Sequence, residues 1–468
     1  MSEMDEKYLS KLNFPEAPKI IHKPPGPKAR ELLKKVKAHE ATAPIDPTIP
    51  PSPVTVIDAA RGSTVKDVDG NVFIDFYAGI SVSNAGHSNP VLLKALKEQA
   101  DRIMHTYLFH TPPRIMFEEK LSDIAPLGLK NNIKMFFGVG GGDAVEGAVK
   151  LAKYLTKQHT IIAFQGAYHG QGHGALALTS NIWWKKGVSP LMPDVYRVPY
   201  AYCYRCPFGK EYPNCDLQCV RYIEEHFRDP HMGLLEPAAI IVEPFQGEGG
   251  YIVPPDEFLS ELQRICREND ILFIVDEIQT GFGRTGKMFA CEYSGVTPDI
   301  LLLSKAIAGG FPGFSVVATK KDLLEEIERG AYFHIGTFKA NALACAIANA
   351  NLDFIEKYNL PQRAMKIGEH IIKELKDLQD ESSIIGEVRG RGLFIGVEFV
   401  KDKSSKEPAG EIIPAITMDL FQQGAIAISC GHYRNVMRFM PALTITKELV
   451  EKFLEMFRDV VKRAEKKI

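Results

Sequence analysis

The sequence of 468 residues has no long hydrophobic run, almost no excess charge and few cysteines. Its longest apolar stretches, such as Ile271–Val275 and Ile300–Leu303, are too short to span a bilayer, so we expect no membrane protein. The 56 Lys and Arg against 58 Asp and Glu argue against a large nucleic-acid interface. Eight cysteines are too sparse for a disulfide scaffold. Met1–Lys11 is polar without an apolar signal core, and we expect a cytoplasmic protein.

The length predicts more than one domain, because a single core stops growing at about 250–300 residues. Residues 1–89 are expected to form an N-terminal arm and part of a small domain, with a helix at Pro27–Glu40, a proline-rich connector and strands turned at Asp69-Gly70. Residues 90–335 are expected to form a large domain, and residues 336–468 to complete the small one.

Within the large domain, helical stretches alternate with short runs that are largely apolar on both faces. Such runs indicate a buried, mostly parallel sheet, so the expected fold class is α/β, with a smaller α+β domain built from both ends of the chain. A strand at Leu393–Phe399 and a final amphipathic helix at Lys447–Ile468 belong to the smaller domain. The six apolar runs are Ile133–Phe137, Thr160–Phe164, Ala239–Val242, Ile271–Val275, Ile300–Leu303 and Ser315–Ala318.

Residues that could bind a ligand or take part in chemistry lie just after these runs. Gly138–Asp143 follows one run and Tyr168-His169-Gly170 another. Glu243 and Asp276 come directly after theirs, and Lys305 comes one residue later. Because ligands bind at the carboxyl ends of parallel strands, we expect these five strands to point at one crevice.

The glycine-rich turn Gly138–Asp143 leads into a helix predicted at Ala144–Tyr154. Bare glycines let backbone N–H groups approach a phosphate, and the helix N-terminus adds positive charge. A tight strand–helix turn without a ligand explains the glycines about equally well. A dinucleotide site fits less well, because Asp143 stands where the third glycine belongs.

Asp276 and Lys305 complete the pattern. A carboxylate at the end of an apolar strand needs a cationic partner or hydrogen bonds, although a helix cap or a structural ion pair is an alternative for Asp276. Desolvation would make the Lys305 amine a nucleophile, unless the side chain extends to solvent. A phosphate turn, an amine nucleophile and an acidic group together describe a site for pyridoxal 5′-phosphate (PLP), which forms a lysine Schiff base and needs a carboxylate at its ring nitrogen.

Two further patterns are weak. Gly281–Lys287 fits the phosphate loop of an ATPase, but Met288 replaces the required Ser or Thr, and the segment does not lead directly from a strand into a helix. His169 and His173 have the spacing of a zinc-protease helix, but two glycines and no glutamate lie between them. We assign no metal site from these patterns.

Four cysteines cluster in a loop-like insertion, at Cys203, Cys206, Cys215 and Cys219. Their spacing is compatible with a four-thiolate zinc site, with two disulfides or with four reduced thiols. The sequence leaves these alternatives open, and a cross-link of either kind would brace the loop rather than take part in chemistry.

The stretch Asp276–Gly286 with Ser304-Lys305 resembles the signature of class III (ω-amino-acid) PLP-dependent aminotransferases, which have fold type I. Further segments that resemble the family are spread over nearly the whole chain. Within the family the 4-aminobutyrate aminotransferases are the most similar branch, and a branch of amino-acid racemases and epimerases shares the scaffold. The further segments are Asp75–Val82, Gly86-His87, Glu243–Gly250 and Asn435–Thr444.

The resemblance implies roles in cofactor binding. Lys305 would form the Schiff base and move the substrate proton, and Asp276 would bind the pyridinium nitrogen; these are the expected catalytic residues. Gln279 would bond the phenolic oxygen of the ring, and Tyr168 would stack on its face.

At the phosphate, Gly141 and Gly142 would donate backbone N–H groups. Thr337 would reach the phosphate of a neighbouring subunit, which implies a homodimer or a dimer of such dimers. The sequence departs from the family pattern at Gly140 and Gly142, where larger or hydroxyl-bearing residues are common, and at Lys339-Ala340, where a glycine pair is usual.

For the substrate, the resemblance implies that Arg438 holds a carboxylate, with Glu248 as its partner when no second carboxylate is present. Glu243 and Ile80 would line the pocket. Gln171 stands where 4-aminobutyrate aminotransferases carry an arginine for a distal carboxylate, so we expect substrates with a single carboxylate. The expected reaction is amino transfer from an ω- or α-amino acid to a 2-oxo acid such as 2-oxoglutarate. Racemisation or epimerisation on the same cofactor is the alternative.

Overall fold

The computed structural model describes residues 3–41, 53–107, 109–328 and 333–466. Most of the predicted proline connector falls on residues 42–52, outside these ranges. The α-helices of the described chain are α1 (Glu3–Ser10), α2 (Pro27–His39), α3 (Ala78–Ser81), α4 (Pro90–Ala100), α5 (Pro112–Ile124), α6 (Gly141–Thr156), α7 (His173–Leu178), α8 (Gln218–Arg228), α9 (Glu257–Glu268), α10 (Glu325–Glu328), α11 (Ala342–Lys357), α12 (Leu360–Glu381), α13 (Ile413–Gln423) and α14 (Lys447–Glu465).

The strands are short, as the apolar runs predict. They are β1 (Ile57–Arg61), β2 (Thr64–Asp67), β3 (Val72–Asp75), β4 (Ile133–Gly138), β5 (Thr160–Phe164), β6 (Val195–Val198), β7 (Pro237–Val242), β8 (Leu272–Asp276), β9 (Ile300–Leu303), β10 (Ser315–Lys320), β11 (Ile385–Arg391), β12 (Phe394–Phe399), β13 (Ala425–Ile426), β14 (Ile428–Cys430) and β15 (Val436–Phe439).

Contacts between residues divide the chain into two compact units. The first consists of Met1–Leu93, Gly283–Gly286 and Phe354–Ile468, and the second of Lys94–Phe282 and Lys287–Asp353. The domain limits expected from the sequence, 1–89, 90–335 and 336–468, stay a prediction.

The second unit contains a seven-stranded sheet in the order β4-β10-β9-β8-β7-β5-β6. The strands from β9 to β6 pair in parallel, and only β10 runs antiparallel to both of its neighbours. The expected α/β fold with a mostly parallel sheet is therefore confirmed. All six predicted runs are strands of this sheet, with ends that differ by at most two residues.

Strand β6 was not predicted, because it lies at the edge of the sheet. Only its last residue, Val198, is buried, and Arg197 interrupts the apolar run. Central strands differ sharply, since every residue of β7 and β9 is buried. Helix α6 packs on this sheet through small and branched residues that include Ala144, Ala148 and Ala152.

The first unit holds two four-stranded sheets. One has the order β1-β2-β3-β13, in which β13 pairs in parallel with β3, and the other is the antiparallel sheet β11-β12-β15-β14. The predicted turn between β2 and β3 is confirmed at Gly70, whose φ is +86° and whose N–H donates to the Asp67 carbonyl at 3.0 Å. In the core of the first unit, the ring of Phe76 stacks on that of Phe453 of α14.

Helices of the described ranges are either too short or too polar to cross a bilayer.

Candidate active site

The buried end of strand β8 carries the acidic group of the candidate site. Asp276 is the last residue of this strand, which lies between β7 and β9 in the sheet. Its Oδ2 lies 2.7 Å from Nδ1 of His169, and its Oδ1 accepts a hydrogen bond from the Ile278 N–H at 3.0 Å. His169 follows strand β5, so the sheet joins two residues that are 107 positions apart. These bonds satisfy the buried carboxyl group as the sequence requires.

Glu243, directly after β7, forms hydrogen bonds with the backbone of two neighbouring loops. Its Oε1 accepts from the N–H of Tyr168 at 2.9 Å, and its Oε2 accepts from the N–H of Gly247 at 3.0 Å. Burial raises the pKa of this carboxyl to about 7; His169 and the two N–H groups lower it, and the charge of Asp276 raises it further. The carboxylate therefore holds the backbone at Tyr168 in place. Its predicted role in lining the substrate pocket stays a prediction.

The turn before α6 presents backbone N–H groups. Helix α6 begins at Gly141, and the first N–H groups of a helix have no partner within the helix. Gly170 lies against this turn, since a Cβ at Gly170 would be 2.8 Å from the Gly142 Cα. Its φ of +130° also favours glycine. The second unit thus brings the turn and the Tyr168-His169-Gly170 segment together at the sheet edge.

Asp143, in the first turn of α6, has two basic side chains as neighbours. Its carboxylate lies 3.0 Å from Nε2 of His334 and 3.3 Å from Nζ of Lys339, and it accepts from the Val139 N–H at 2.8 Å. Burial raises the pKa of Asp143, but these bonds and charges outweigh it and hold the pKa well below its usual range. Lys339, the departure from the family's glycine pair, therefore offsets the negative charge that Asp143 places at the helix N-terminus.

Lys305 follows β9 after one buried residue, so it lies at the carboxyl ends of the parallel strands, as Asp276 does. Its side chain is half-buried and its φ is +46°, a left-handed conformation that costs a non-glycine residue roughly 1–3 kcal/mol. Hydrogen bonds on both sides fix this conformation. Ser304 Oγ donates to the Phe314 carbonyl at 2.9 Å, and Asn351 Nδ2 donates to the Ala306 carbonyl at 2.8 Å.

Gln279 lies beside Gly247, three residues beyond Asp276. A Cβ at Gly247 would be 1.9 Å from Gln279 Oε1, so any larger residue there would displace the amide. Oε1 is buried and has no hydrogen-bond partner among the described residues. The amide thus retains capacity for a ligand.

Two predicted substrate residues belong to the first unit, Arg438 on β15 and Ile80 in α3. Ile80 has a φ of +63°, an outlier for a β-branched residue. Tyr77, directly before α3, lies close enough to Arg438 of β15 for their charges to interact. Burial raises the pKa of Tyr77, the charge of Arg438 lowers it, and Asp75 raises it.

The remaining predicted residues lie in the second unit. Gln171 and Thr337 are exposed, and Glu248 is half-buried. Tyr168 is half-buried, and its ring packs edge-on against Trp184 with centroids 5.0 Å apart. Their individual roles stay predictions.

The phosphate-loop pattern at Gly281–Lys287 has a structural explanation. It lies in a series of turns rather than at the start of a helix. Arg284 within it is fully buried, and its guanidinium donates to the carbonyls of Leu393 and Pro441 and to the side chain of Asn84. The segment therefore serves to hold the first unit together.

Sequence reasoning missed the role of His169, which it considered only as a metal ligand. The structure pairs this side chain with Asp276 instead. Over the described part of the chain, no group of three or more His, Cys, Asp or Glu side chains is arranged to hold a metal ion. The signal available in the sequence was the position of His169 after an apolar run, which it shares with the other site residues.

Comparison with known proteins agrees with this geometry. The chain matches the aminotransferase class-III family over residues 48–461. It is 39% identical over 457 residues to an alanine/serine racemase of Pyrococcus horikoshii, covering 96% of this chain and 93% of the relative. It is 38% identical over 410 residues to a diaminobutyrate–2-oxoglutarate aminotransferase of Haemophilus influenzae, covering 86% and 89%. A 4-aminobutyrate aminotransferase of Mycobacterium leprae is 35% identical over 445 residues, covering 94% and 97%.

Among solved structures, an amine transaminase from an uncultivated Pseudomonas species in its PLP-bound form matches with a TM-score of 0.83 and 28% identity, over 91% of this chain and 98% of that one. The residues of the second unit fit the same cofactor. The N-terminus of α6 suits a phosphate, the Asp276–His169 pair suits a ring nitrogen, and the amide oxygen of Gln279 has no hydrogen-bond partner among the residues that the structure describes. The chain is therefore a member of the class III aminotransferase family, a PLP-dependent enzyme of fold type I.

Proposed function

We propose that the enzyme transfers an amino group from an ω- or α-amino acid with a single carboxylate to a 2-oxo acid such as 2-oxoglutarate. The observation that carries the proposal is the buried Asp276–His169 pair at the sheet edge where Lys305 also lies. When bound, PLP supplies an electron sink for the carbon that loses its proton.

The first role of the chain is to bind PLP and to orient its ring. Asp276 would place its carboxylate at the ring nitrogen and keep the nitrogen protonated, while His169 fixes the orientation of Asp276 through the 2.7 Å contact. Gln279 would bond the phenolic oxygen. The backbone N–H groups of Gly141 and Gly142 would bind the phosphate at the N-terminus of α6.

The second role is proton transfer by Lys305. Its Nζ would hold the cofactor covalently and would act as the base that takes the proton from the amine-bearing carbon of the substrate. The hydrogen bonds of Ser304 and Asn351 hold the backbone on both sides of Lys305, which fixes the point from which its side chain extends.

Substrate selection would depend on Arg438 and Gln171. A guanidinium forms a bidentate, charge-assisted pair with a carboxylate, which a neutral amide cannot reproduce. Arg438 would therefore hold one carboxylate, with Glu248 as its partner when no second carboxylate is present, and Ile80 and Glu243 would line the pocket. We expect 4-aminobutyrate to be a poor donor compared with amines that have an apolar or amine-bearing tail.

A homodimer, or a dimer of such dimers, is part of the proposal, with Thr337 reaching the phosphate of the neighbouring subunit. Thr337 is exposed, as such a contact requires. We also propose that the enzyme acts in the cytoplasm, on small amino acids and 2-oxo acids.

The alternative activity is racemisation, favoured by the 39% identity to a protein named alanine/serine racemase. The test incubates the holoenzyme with single L-amino acids, first without and then with 2-oxoglutarate. Amino transfer that requires the oxo acid is the expected result. Rapid formation of the D-enantiomer without any oxo acid would overturn the proposal in favour of a racemase.

A further inference from the structure

The four clustered cysteines converge in space, although the chemistry described above uses none of them. Cys203, Cys206, Cys215 and Cys219 all line one small, partly open cavity of about 20 Å³ in the second unit. A cavity of this size has room for a single water-sized occupant. The other cysteines, Cys266, Cys291, Cys345 and Cys430, are each buried elsewhere.

Two local structures bring the thiols to this cavity. Cys203 begins a 3₁₀ turn, Cys203–Arg205, a few residues beyond the end of β6. Cys215 lies in the turn before α8, and Cys219 lies in the first turn of that helix. The pairs Cys203/Cys206 and Cys215/Cys219 thus come from two separate segments of the chain, an arrangement typical of sites that hold one ion between two loops.

Two cationic side chains lie near the four thiols. Lys210 lines the same cavity, and Arg221 donates to the Cys215 carbonyl at 3.3 Å. Cys219 lies in the first turn of α8, where the helix N-terminus adds positive charge. A divalent ion with four thiolates carries a net charge of −2, which these donors and cations would offset.

We propose that Cys203, Cys206, Cys215 and Cys219 bind one Zn²⁺ as a tetrahedral tetrathiolate site. Each thiol gives up its proton to solvent, so one Zn²⁺ replaces four protons and no oxidant is needed. Zn–S bonds are about 2.3 Å long, so the four sulfur atoms, which the described structure does not arrange around an ion, would have to come closer together by side-chain rotation.

A zinc ion here would stabilise the segment that supports the backbone directly after β7, next to the candidate active site. Tyr200, which also lines the cavity, donates from its hydroxyl to the carbonyls of Glu243 at 3.0 Å and Pro244 at 2.8 Å. Fixing the cysteine loop would thus fix the backbone that follows β7. The ion would be structural, because the four thiolates fill its coordination sphere and leave no position for substrate.

The test measures metal in the untagged holoenzyme after incubation with equimolar Zn²⁺ and gel filtration, by mass spectrometry of the elements. We expect about one zinc per chain in the wild type and in the control Cys430→Ala, and less than about 0.1 in Cys206→Ala/Cys215→Ala. Zinc bound equally by the double variant, or no zinc in the wild type, would overturn the proposal.

A second measurement does not depend on the folding of a variant. Co²⁺ added to the wild-type holoenzyme should give the thiolate-to-metal charge-transfer band of a tetrahedral cobalt site, and Zn²⁺ should abolish it. In parallel, peptide mapping under non-reducing conditions should find these four cysteines as thiols. A disulfide among them in protein purified without added oxidant would contradict the zinc site.

Discussion

The two ends of the candidate cofactor site are built in different ways. At the ring end, Asp276, His169 and Glu243 are buried side chains, and His169 Nδ1 bonds Asp276 while the Glu243 carboxyl bonds the neighbouring backbone. At the phosphate end, Gly141 and Gly142 offer backbone N–H groups of a helix terminus. The ring end therefore depends on single side chains, whereas the phosphate end depends on the local conformation of the chain.

This contrast has a consequence for mutation. Removal of one side chain at the ring end leaves a buried polar partner without its bond, which costs about 1–3 kcal/mol. At the phosphate end several N–H donors remain whatever side chain is changed. We therefore expect substitutions to have large effects beside Asp276 and small effects beside α6.

The largest effect should follow Lys305→Ala, although Lys305 belongs neither to the ring end nor to the phosphate end. This variant loses the nucleophile and the proton carrier together, so turnover should fall by about 10⁴-fold or more while PLP still binds non-covalently. Steady-state kinetics and equilibrium dialysis measure the two properties. Lys287→Ala is the matched control, because an ATPase phosphate loop would need Lys287 and the aminotransferase should not. Loss of activity in Lys287→Ala with activity retained in Lys305→Ala would reverse the assignment.

Asp276→Asn should have the next largest effect. The amide keeps the shape of the side chain but cannot hold the ring nitrogen protonated, so the rate of substrate proton removal should fall by about 10²-fold or more. Single-turnover kinetics with a substrate deuterated at the reacting carbon isolates this step. A turnover close to that of the wild type would mean that Asp276 has only a structural role.

His169 should matter through Asp276. His169→Ala removes a hydrogen bond to a charged group, which is worth about 1.5–3 kcal/mol, so kcat should fall by about 10- to 100-fold. His169→Asn retains an amide N–H donor and should recover part of the loss. A purely structural role would instead lower the melting temperature of both variants equally, with no rescue of kcat by asparagine.

Glu243 should make the folding stability depend on pH. The unfolded chain ionises this carboxyl near pH 4.5, whereas the folded protein keeps it protonated up to about pH 7. The folded state therefore binds more protons in this window, and wild-type stability should fall, relative to Glu243→Gln, by up to about 1.4 kcal/mol per pH unit as the pH rises from 4.5 to 7. Urea unfolding of both proteins across this range provides the comparison, and parallel profiles would refute the prediction.

The smallest effect should occur at the phosphate end. Lys339→Met leaves the negative charge of Asp143 without its partner at 3.3 Å, so the Kd of PLP should rise by about threefold to tenfold. The double variant Asp143→Asn/Lys339→Met should restore most of the affinity. An increase in Kd as large as the kinetic loss in Asp276→Asn would remove the contrast between the two ends.

The sheet and the placement of the candidate residues at the carboxyl ends of its strands could be predicted because parallel strands have a simple signature. Runs such as Thr160–Phe164 and Ile300–Leu303 are apolar on both faces, and the reactive residues follow where each run stops. Edge strand β6 escaped prediction because it is only partly buried. Contacts such as the one between His169 and Asp276 could not be predicted either, since they depend on the spatial order of strands that are distant in the sequence.

The pairing of Asp143 with His334 and Lys339 is a further case. The sequence showed that Asp143 takes the place of a glycine in the dinucleotide-loop pattern and that Lys339 takes the place of a glycine in the family pattern, but not that the two charges meet. Only the fold of the second unit brings Asp143 and Lys339 together. Their physical meaning, neutralisation of a charge at a helix N-terminus, follows once they are neighbours.

Borohydride reduction of the holoenzyme, followed by peptide mapping, tests the central claim most directly. The reagent traps PLP on the lysine that holds it, and the account predicts a pyridoxyl group on Lys305 and bleaching of the yellow absorbance. A pyridoxyl group on any other lysine, or a colourless protein that is not modified, would contradict the account.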